Sequence, residues 1–188
     1  MKNFKLVMMA ILVALVFTGC KKDTTSPSSS STSTITTTID GSSVNLTSYA
    51  YLYSITSGET TYQYLYILGT TAAAGSTNYK AFWIWIYANK ITAKTYTVPN
   101  YSDSYTYDPI TGYAVGEYWS YLNSEISELY YSYGLTGSSG SVTISSISST
   151  NVQGSYDMTL SKSTVGTDAT KSLKGSFNVK ITGNFTGK

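Results

Sequence analysis

From Ile35 onward, β-branched and aromatic residues recur at every second position, and clusters of Gly, Asn, Asp and Ser interrupt them. A period of two is what a strand needs when its side chains go alternately to opposite faces of a sheet. The residue types involved also suit a pleated, half-buried surface. The pattern predicts strands over residues 35–39, 49–55, 61–68, 80–88, 92–98, 141–147, 152–161 and 173–181. Turn signals separate them at Asp40-Gly41, Ser57-Gly58, 69–78, Asn89-Lys90 and Val98-Pro99-Asn100. About eight or more short strands with hairpin-length connections predict an all-β chain, an antiparallel β-sandwich or a flattened barrel. One stretch departs from period two. Trp119, Leu122, Ile126, Leu129 and Tyr133 are spaced three and four apart, which predicts one short helix over 117–130.

Three consecutive strands sort their side chains by kind. Alternation places Tyr49, Tyr51 and Tyr53 opposite Ala50 and Leu52, then Tyr62, Tyr64 and Tyr66 opposite Leu65 and Ile67, then Trp83, Trp85 and Tyr87 opposite Phe82, Ile84 and Ile86. If these strands are neighbours, one sheet has an aliphatic face and an aromatic one. Two arrangements meet this pattern. Either the rings pack under a second layer with their hydroxyls at its rim, or they line an open groove offering flat surfaces to sugar rings or apolar ligands. A second candidate is the connection over 99–118, expected as a long loop. It intersperses Tyr101, Tyr105, Tyr107, Tyr113 and Tyr118 with Asp103, Asp108 and Glu117, a composition suited to recognition. Its carboxylates offer oxygen to Ca²⁺, but their spacing fits no EF-hand loop, so a solvated polar loop is the simpler expectation.

The front of the chain follows different rules. Lys2 and Lys5 precede an uncharged run from Leu6 to Phe17, and Thr18-Gly19 stands before Cys20, the chain's single cysteine. A positive region, a short apolar region and small residues in that order predict an export signal over 1–19. About twelve apolar residues rise only about 18 Å as a helix, too short for a roughly 30 Å hydrocarbon core. Phe17-Thr18-Gly19-Cys20 resembles the lipobox of bacterial lipoproteins, with Phe17 where Leu is commonest. The resemblance implies a diacylglyceryl thioether on Cys20, cleavage before it and acylation of the new amine. Lys21-Lys22-Asp23 resembles the start of Bacteroidota-type lipoproteins, and the absence of Asp at position 21 favours the outer membrane. Residues 20–34 then form a Ser/Thr-rich tether of roughly 20 Å root-mean-square span, leaving 35–188 as a single domain. Asp23-Thr24-Thr25 also resembles the short O-glycosylation sequon of that group.

Composition narrows the chemistry. Lys2 and Lys5 leave with the signal, so ten of the twelve lysines face ten acids, and the chain has no arginine. With no net charge and no basic cluster, nucleic-acid binding is disfavoured. Histidine is absent, which removes the commonest general base and transition-metal ligand. With Cys20 committed to lipid, no disulfide forms and packing alone must hold the fold. No pattern calls for a cofactor. Glycoside hydrolysis needs only two carboxylates, and pairs can be drawn from Asp103, Asp108, Glu117, Glu125, Glu128 and Asp157, but no spacing selects one. The expected partners are therefore a membrane, through the N-terminal lipid, and a glycan or another envelope protein.

The second half carries a repeated pattern. Ser141-Val-Thr-Ile-Ser, Val152-Gln-Gly154-Ser-Tyr156-Asp-Met-Thr-Leu160 and Gly175-Ser-Phe177-Asn-Val-Lys-Ile181 resemble the Gly-small-aromatic strands of small Bacteroidota lipoproteins with β-sandwich domains. That resemblance implies a fold and a location, with the glycines relieving crowding at bulges or edges. It implies no catalytic residue.

Overall fold

The computed structural model describes residues 33–72, 76–99, 110–133, 137–162 and 169–187. The expected signal, Cys20 and the tether up to residue 32 lie outside the described residues, as do Tyr101, Asp103, Tyr105, Tyr107 and Asp108. The described chain is all strand and connection. Its strands are β1 (Thr34–Ile39), β2 (Ser42–Ser57), β3 (Thr60–Thr70), β4 (Tyr79–Ala88), β5 (Thr95–Thr97), β6 (Tyr113–Leu122), β7 (Glu125–Tyr131), β8 (Ser139–Ile147), β9 (Asn151–Lys162) and β10 (Thr170–Gly187).

All ten belong to one sheet in the order β1-β10-β2-β3-β4-β6-β7-β9-β8-β5, and β9 also pairs with β10 along most of its length. The sheet therefore runs round as a ring and flattens into the expected sandwich-like shape. Phe82 of β4 meets Tyr156 of β9 with ring centroids 4.9 Å apart. A Cβ on Gly116 of β6 would lie 3.1 Å from Met158 and 3.2 Å from Leu160. The interior between the layers is filled by alternate residues such as Leu65, Ile67, Ile84, Ile86, Val152, Leu160, Leu173 and Val179, each less than 2 % exposed.

Pairing is antiparallel with one exception. β10 pairs antiparallel with β1 through Leu173–Asn178, and β1 forms an antiparallel hairpin with β2. Past the start of β1, β10 reaches β2 directly, and two strands each antiparallel to a common neighbour must run parallel to one another. They do so from Ile181 opposite Ala50 to Gly187 opposite Ile55.

The expected helix over 117–130 is not formed. That stretch is a hairpin, β6 and β7, joined at Asn123-Ser124 with φ of 53° and 68°. Two consecutive left-handed residues are the signature of a type I′ turn, whose twist matches that of paired strands. The turn, together with a register shift between Ser120 and Tyr121, resets the alternation and so produces the spacings of three and four. The expected long loop over 99–118 is corrected likewise. Tyr113, Glu117 and Tyr118 stand in β6, with Tyr118 buried in the core. The strand expected over 92–98 contracts to β5.

Candidate functional site: an aromatic outer face around Glu117

The three strands sorted by kind in the sequence are neighbours, and β6 and β7 extend them. Register sets Tyr53 opposite Tyr64 and Tyr51 opposite Tyr66, then Tyr64 opposite Tyr87, Tyr66 opposite Trp85 and Leu68 opposite Trp83. Across the next pairing Tyr87 meets Tyr113, Trp85 meets Val115, Trp83 meets Glu117 and Tyr79 meets Tyr121. Glu117 in turn lies opposite Tyr131, and Trp119 opposite Leu129. Inward residues of these strands, such as Ala50, Ile67, Ile84 and Ala114, are fully buried, whereas the rings named here are partly exposed. The aliphatic face is the core and the aromatic face looks outward.

Cross-strand contact orders the rings. Tyr53 meets Tyr66 edge-on at 5.2 Å, and Tyr66 meets Trp85 at 5.3 Å. Tyr87 gathers Tyr64 at 4.6 Å, Tyr62 at 5.6 Å and Tyr113 at 5.4 Å. Further along, Tyr79 stacks on Tyr121 at 4.3 Å, and Tyr131 on Tyr133 at 4.7 Å. Contacts of this kind contribute about 0.5–1.5 kcal/mol each beyond area burial, so the face is a held surface and not a set of free side chains. Burial first, and neighbouring tyrosines second, push the hydroxyls of Tyr66 and Tyr87 up to about 12. They stay protonated, as donors and acceptors without charge.

All three tryptophans of the chain, Trp83, Trp85 and Trp119, stand on this face. Trp83 and Trp85 are half-buried, between the exposed and the enclosed arrangements that the sequence left open. The indole Nε1 of Trp85 is buried and has no hydrogen-bond partner among the described residues. Leaving such a donor unmet costs about 1–3 kcal/mol.

One acid stands among the rings. Glu117 is 6 % exposed, flanked across the sheet by Trp83 and Tyr131 and along its strand by Trp119. The Trp119 Nε1 donates to its Oε2 at 3.1 Å. Burial raises its pKa above the ordinary 4.5, while hydrogen bonds from Tyr133 and Trp119 oppose the rise. The β6–β7 ladder sets up this geometry and is locked at its end by Ser132, whose N–H donates to the Gly116 carbonyl at 3.0 Å and whose hydroxyl accepts from Gly116 N–H at 2.8 Å. Sequence reasoning placed Glu117 where the expected loop over 99–118 meets the expected helix over 117–130. The missed signal was the alternation of Tyr113, Val115, Glu117, Trp119 and Tyr121 against Ala114, Gly116 and Tyr118.

A raised folded-state pKa means the folded chain holds its proton more tightly than the unfolded chain. The stability this contributes is fully present below the ordinary glutamate range and is lost as pH rises through the raised value. Glu117→Gln keeps an oxygen that accepts from Trp119 and removes the titration. Urea unfolding of both proteins across mildly acidic to neutral pH should show the variant gaining on the wild type as pH rises. Parallel profiles would count against a buried, reluctantly ionised Glu117.

The other described carboxylates do not join Glu117 in a pair. Glu128 follows Tyr118 and Tyr130 on the inner register, and its carboxylate holds the Lys171 ammonium at 3.2 Å, with Asp40 at 3.4 Å. Asp157 pairs with Lys174 at 2.7 Å on the outside of the opposite layer. That outer surface carries Gln153, Ser155, Lys174, Ser176, Asn178 and Lys180, so the two outer faces differ sharply in chemistry. Among the described residues, no group of three or more Asp, Glu or Cys side chains is placed to hold a metal ion. Comparison with known protein families, with curated proteins and with solved structures gives no match, and the site stands on its own geometry.

Proposed function

We propose that this chain is a lipid-anchored protein of the bacterial cell envelope that binds a saccharide on the outer aromatic face of β2, β3, β4, β6 and β7. The observation that carries the binding half is the unequal dressing of the two outer faces. One is polar and charged; the other is, among the described residues, a continuous field of partly exposed Tyr and Trp with a single buried acid. Flat rings stack on the apolar faces of pyranose rings, and phenol hydroxyls suit their hydroxyl groups. The anchoring half rests on the resemblance of Phe17-Thr18-Gly19-Cys20 to a lipobox. Half-burial of Trp83 and Trp85 supports a second reading, in which the rings serve packing or an envelope-protein contact.

A glycan array probed with the purified protein separates these readings. Saccharide binding is expected, and Trp83→Ala and Trp85→Ala should each weaken it about fivefold or more, since truncating a central aromatic anchor costs over about 1 kcal/mol. Circular dichroism verifies that each variant is folded. Affinity unchanged in both folded variants, or no saccharide bound by the wild type, would leave the packing role.

A further inference from the structure

The β6–β7 pair carries a carboxylate and aromatic rings on both of its faces, and only the inner set holds a cation. On the inner face, the Lys171 ammonium sits 4.7 Å from the centroids of both Tyr118 and Tyr130 and 3.2 Å from the Glu128 carboxylate. Burial alone would lower the pKa of Lys171, yet Glu128, Tyr118 and Asp40 outweigh it and the pKa is raised. The rings and the carboxylate together make a good ammonium site.

One residue along each strand, the outer face repeats this composition. Glu117 stands between Trp83 and Tyr131, with Trp119 donating to it from the same strand. Among the described residues no lysine forms an ion pair with Glu117; the three ion pairs all lie elsewhere. Its hydrogen bonds come from neutral donors, Trp119 and Tyr133. A buried carboxylate without a counter-charge is unfavourable, and a cation against Trp faces is stabilised most when desolvated. Both effects favour a positively charged group brought by a ligand.

We propose that Glu117, Trp83, Trp119 and Tyr131 form a recognition site for a ligand-borne ammonium, the free amine of an amino sugar within the saccharide on the aromatic face. This rests on the saccharide reading and narrows its ligand class. The ammonium supplies the charge that Glu117 lacks, its N–H groups donate to the carboxylate, and the sugar ring lies on the neighbouring aromatic side chains.

The test uses the detergent-solubilised full chain in near-neutral buffer, with calorimetric titration of glucosamine hexamer, whose free amines take up protons readily there, and of N-acetylglucosamine hexamer, which is neutral. The free-amine hexamer is expected to bind about tenfold more tightly or better, a difference of about 1.4 kcal/mol. In Glu117→Gln the two affinities should converge to within about twofold. On the wild type, tetramethylammonium chloride should displace the free-amine hexamer more effectively than sodium chloride at equal ionic strength. Equal binding of both hexamers by the wild type, or equal displacement by the two salts, overturns the ammonium site and leaves the aromatic platform standing. Binding of neither hexamer, with other saccharides bound on the array, also overturns it; no saccharide bound at all removes both readings.

Discussion

Gly175→Ala is expected to destabilise the domain by about 3 kcal/mol or more, at or beyond the usual upper end for overpacking a core. β10 is hemmed in on both sides, by β1 and by β9. A Cβ on Gly175 would overlap the Thr36 carbonyl oxygen, approach Thr37 Cα to 2.9 Å and approach the Tyr156 hydroxyl to 2.8 Å. Two of these neighbours are backbone, so relief requires β1 and β10 to separate. The cause is a reciprocal arrangement. Register sets Gly175 opposite Tyr156 and Gly154 opposite Phe177, and the rings of Tyr156 and Phe177 lie nearly parallel, 14° apart, with centroids at 6.5 Å. Each glycine leaves room for the ring across from it. Urea unfolding should show the loss as a lower midpoint with an unchanged slope. Gly58→Ala is the control. Its φ of 63° brings only the strain of a left-handed residue, about 1 kcal/mol, and a Cβ there meets nothing within 4 Å. Equal losses in the two variants would show that crowding at β10 is not what selects glycine.

That arrangement also shows what the sequence discloses and what it hides. The Gly-Ser-Tyr of 154–156 and the Gly-Ser-Phe of 175–177 are visible as a repeat, but the reason for it is the pairing of β9 with β10. Pairing is a long-range fact that no local pattern contains. The aromatic sorting of β2, β3 and β4 was legible because each strand keeps its alternation over five residues or more, and their adjacency followed from short connections. β6 and β7 were not legible. A left-handed turn and a bulge break the alternation of Trp119, Leu122, Ile126 and Leu129 into helical spacing. Losing that hairpin meant losing half of the candidate site, because Glu117, Trp119, Tyr131 and Tyr133 all stand on it or at its end. Lys171 was equally hidden. Nothing local marks a lysine as inward-facing, yet its place in the alternation with Leu173 and Phe177 turns it toward Tyr118 and Tyr130.

Cys20→Ser is expected to abolish the acyl mass and the cleavage before residue 20, the largest functional change that any single substitution here should cause, and to release into the soluble fraction every molecule whose signal is removed elsewhere. The sulfur is the nucleophile on which the proposed lipid attachment depends, and a serine hydroxyl does not replace a thiolate in that alkylation. One acyl chain gives marginal membrane binding and two give stable anchoring, at about 0.8 kcal/mol per buried methylene, so a triacylated Cys20 would hold durably. Without the thioether, a peptidase that cuts before a lipidated cysteine would have no substrate, and the proposed signal over 1–19 would stay attached or be removed elsewhere. Fractionation and intact-mass measurement read the two consequences separately. The wild type should show the added acyl mass and partition with membranes, and the variant should show neither acyl mass nor cleavage at residue 20. Among the described residues no helix is long and apolar enough to cross a membrane. If Cys20→Ser still partitions with membranes and the wild type carries no lipid mass, the aromatic face itself becomes the membrane contact to test, because Tyr and Trp are the side chains that favour a lipid–water interface.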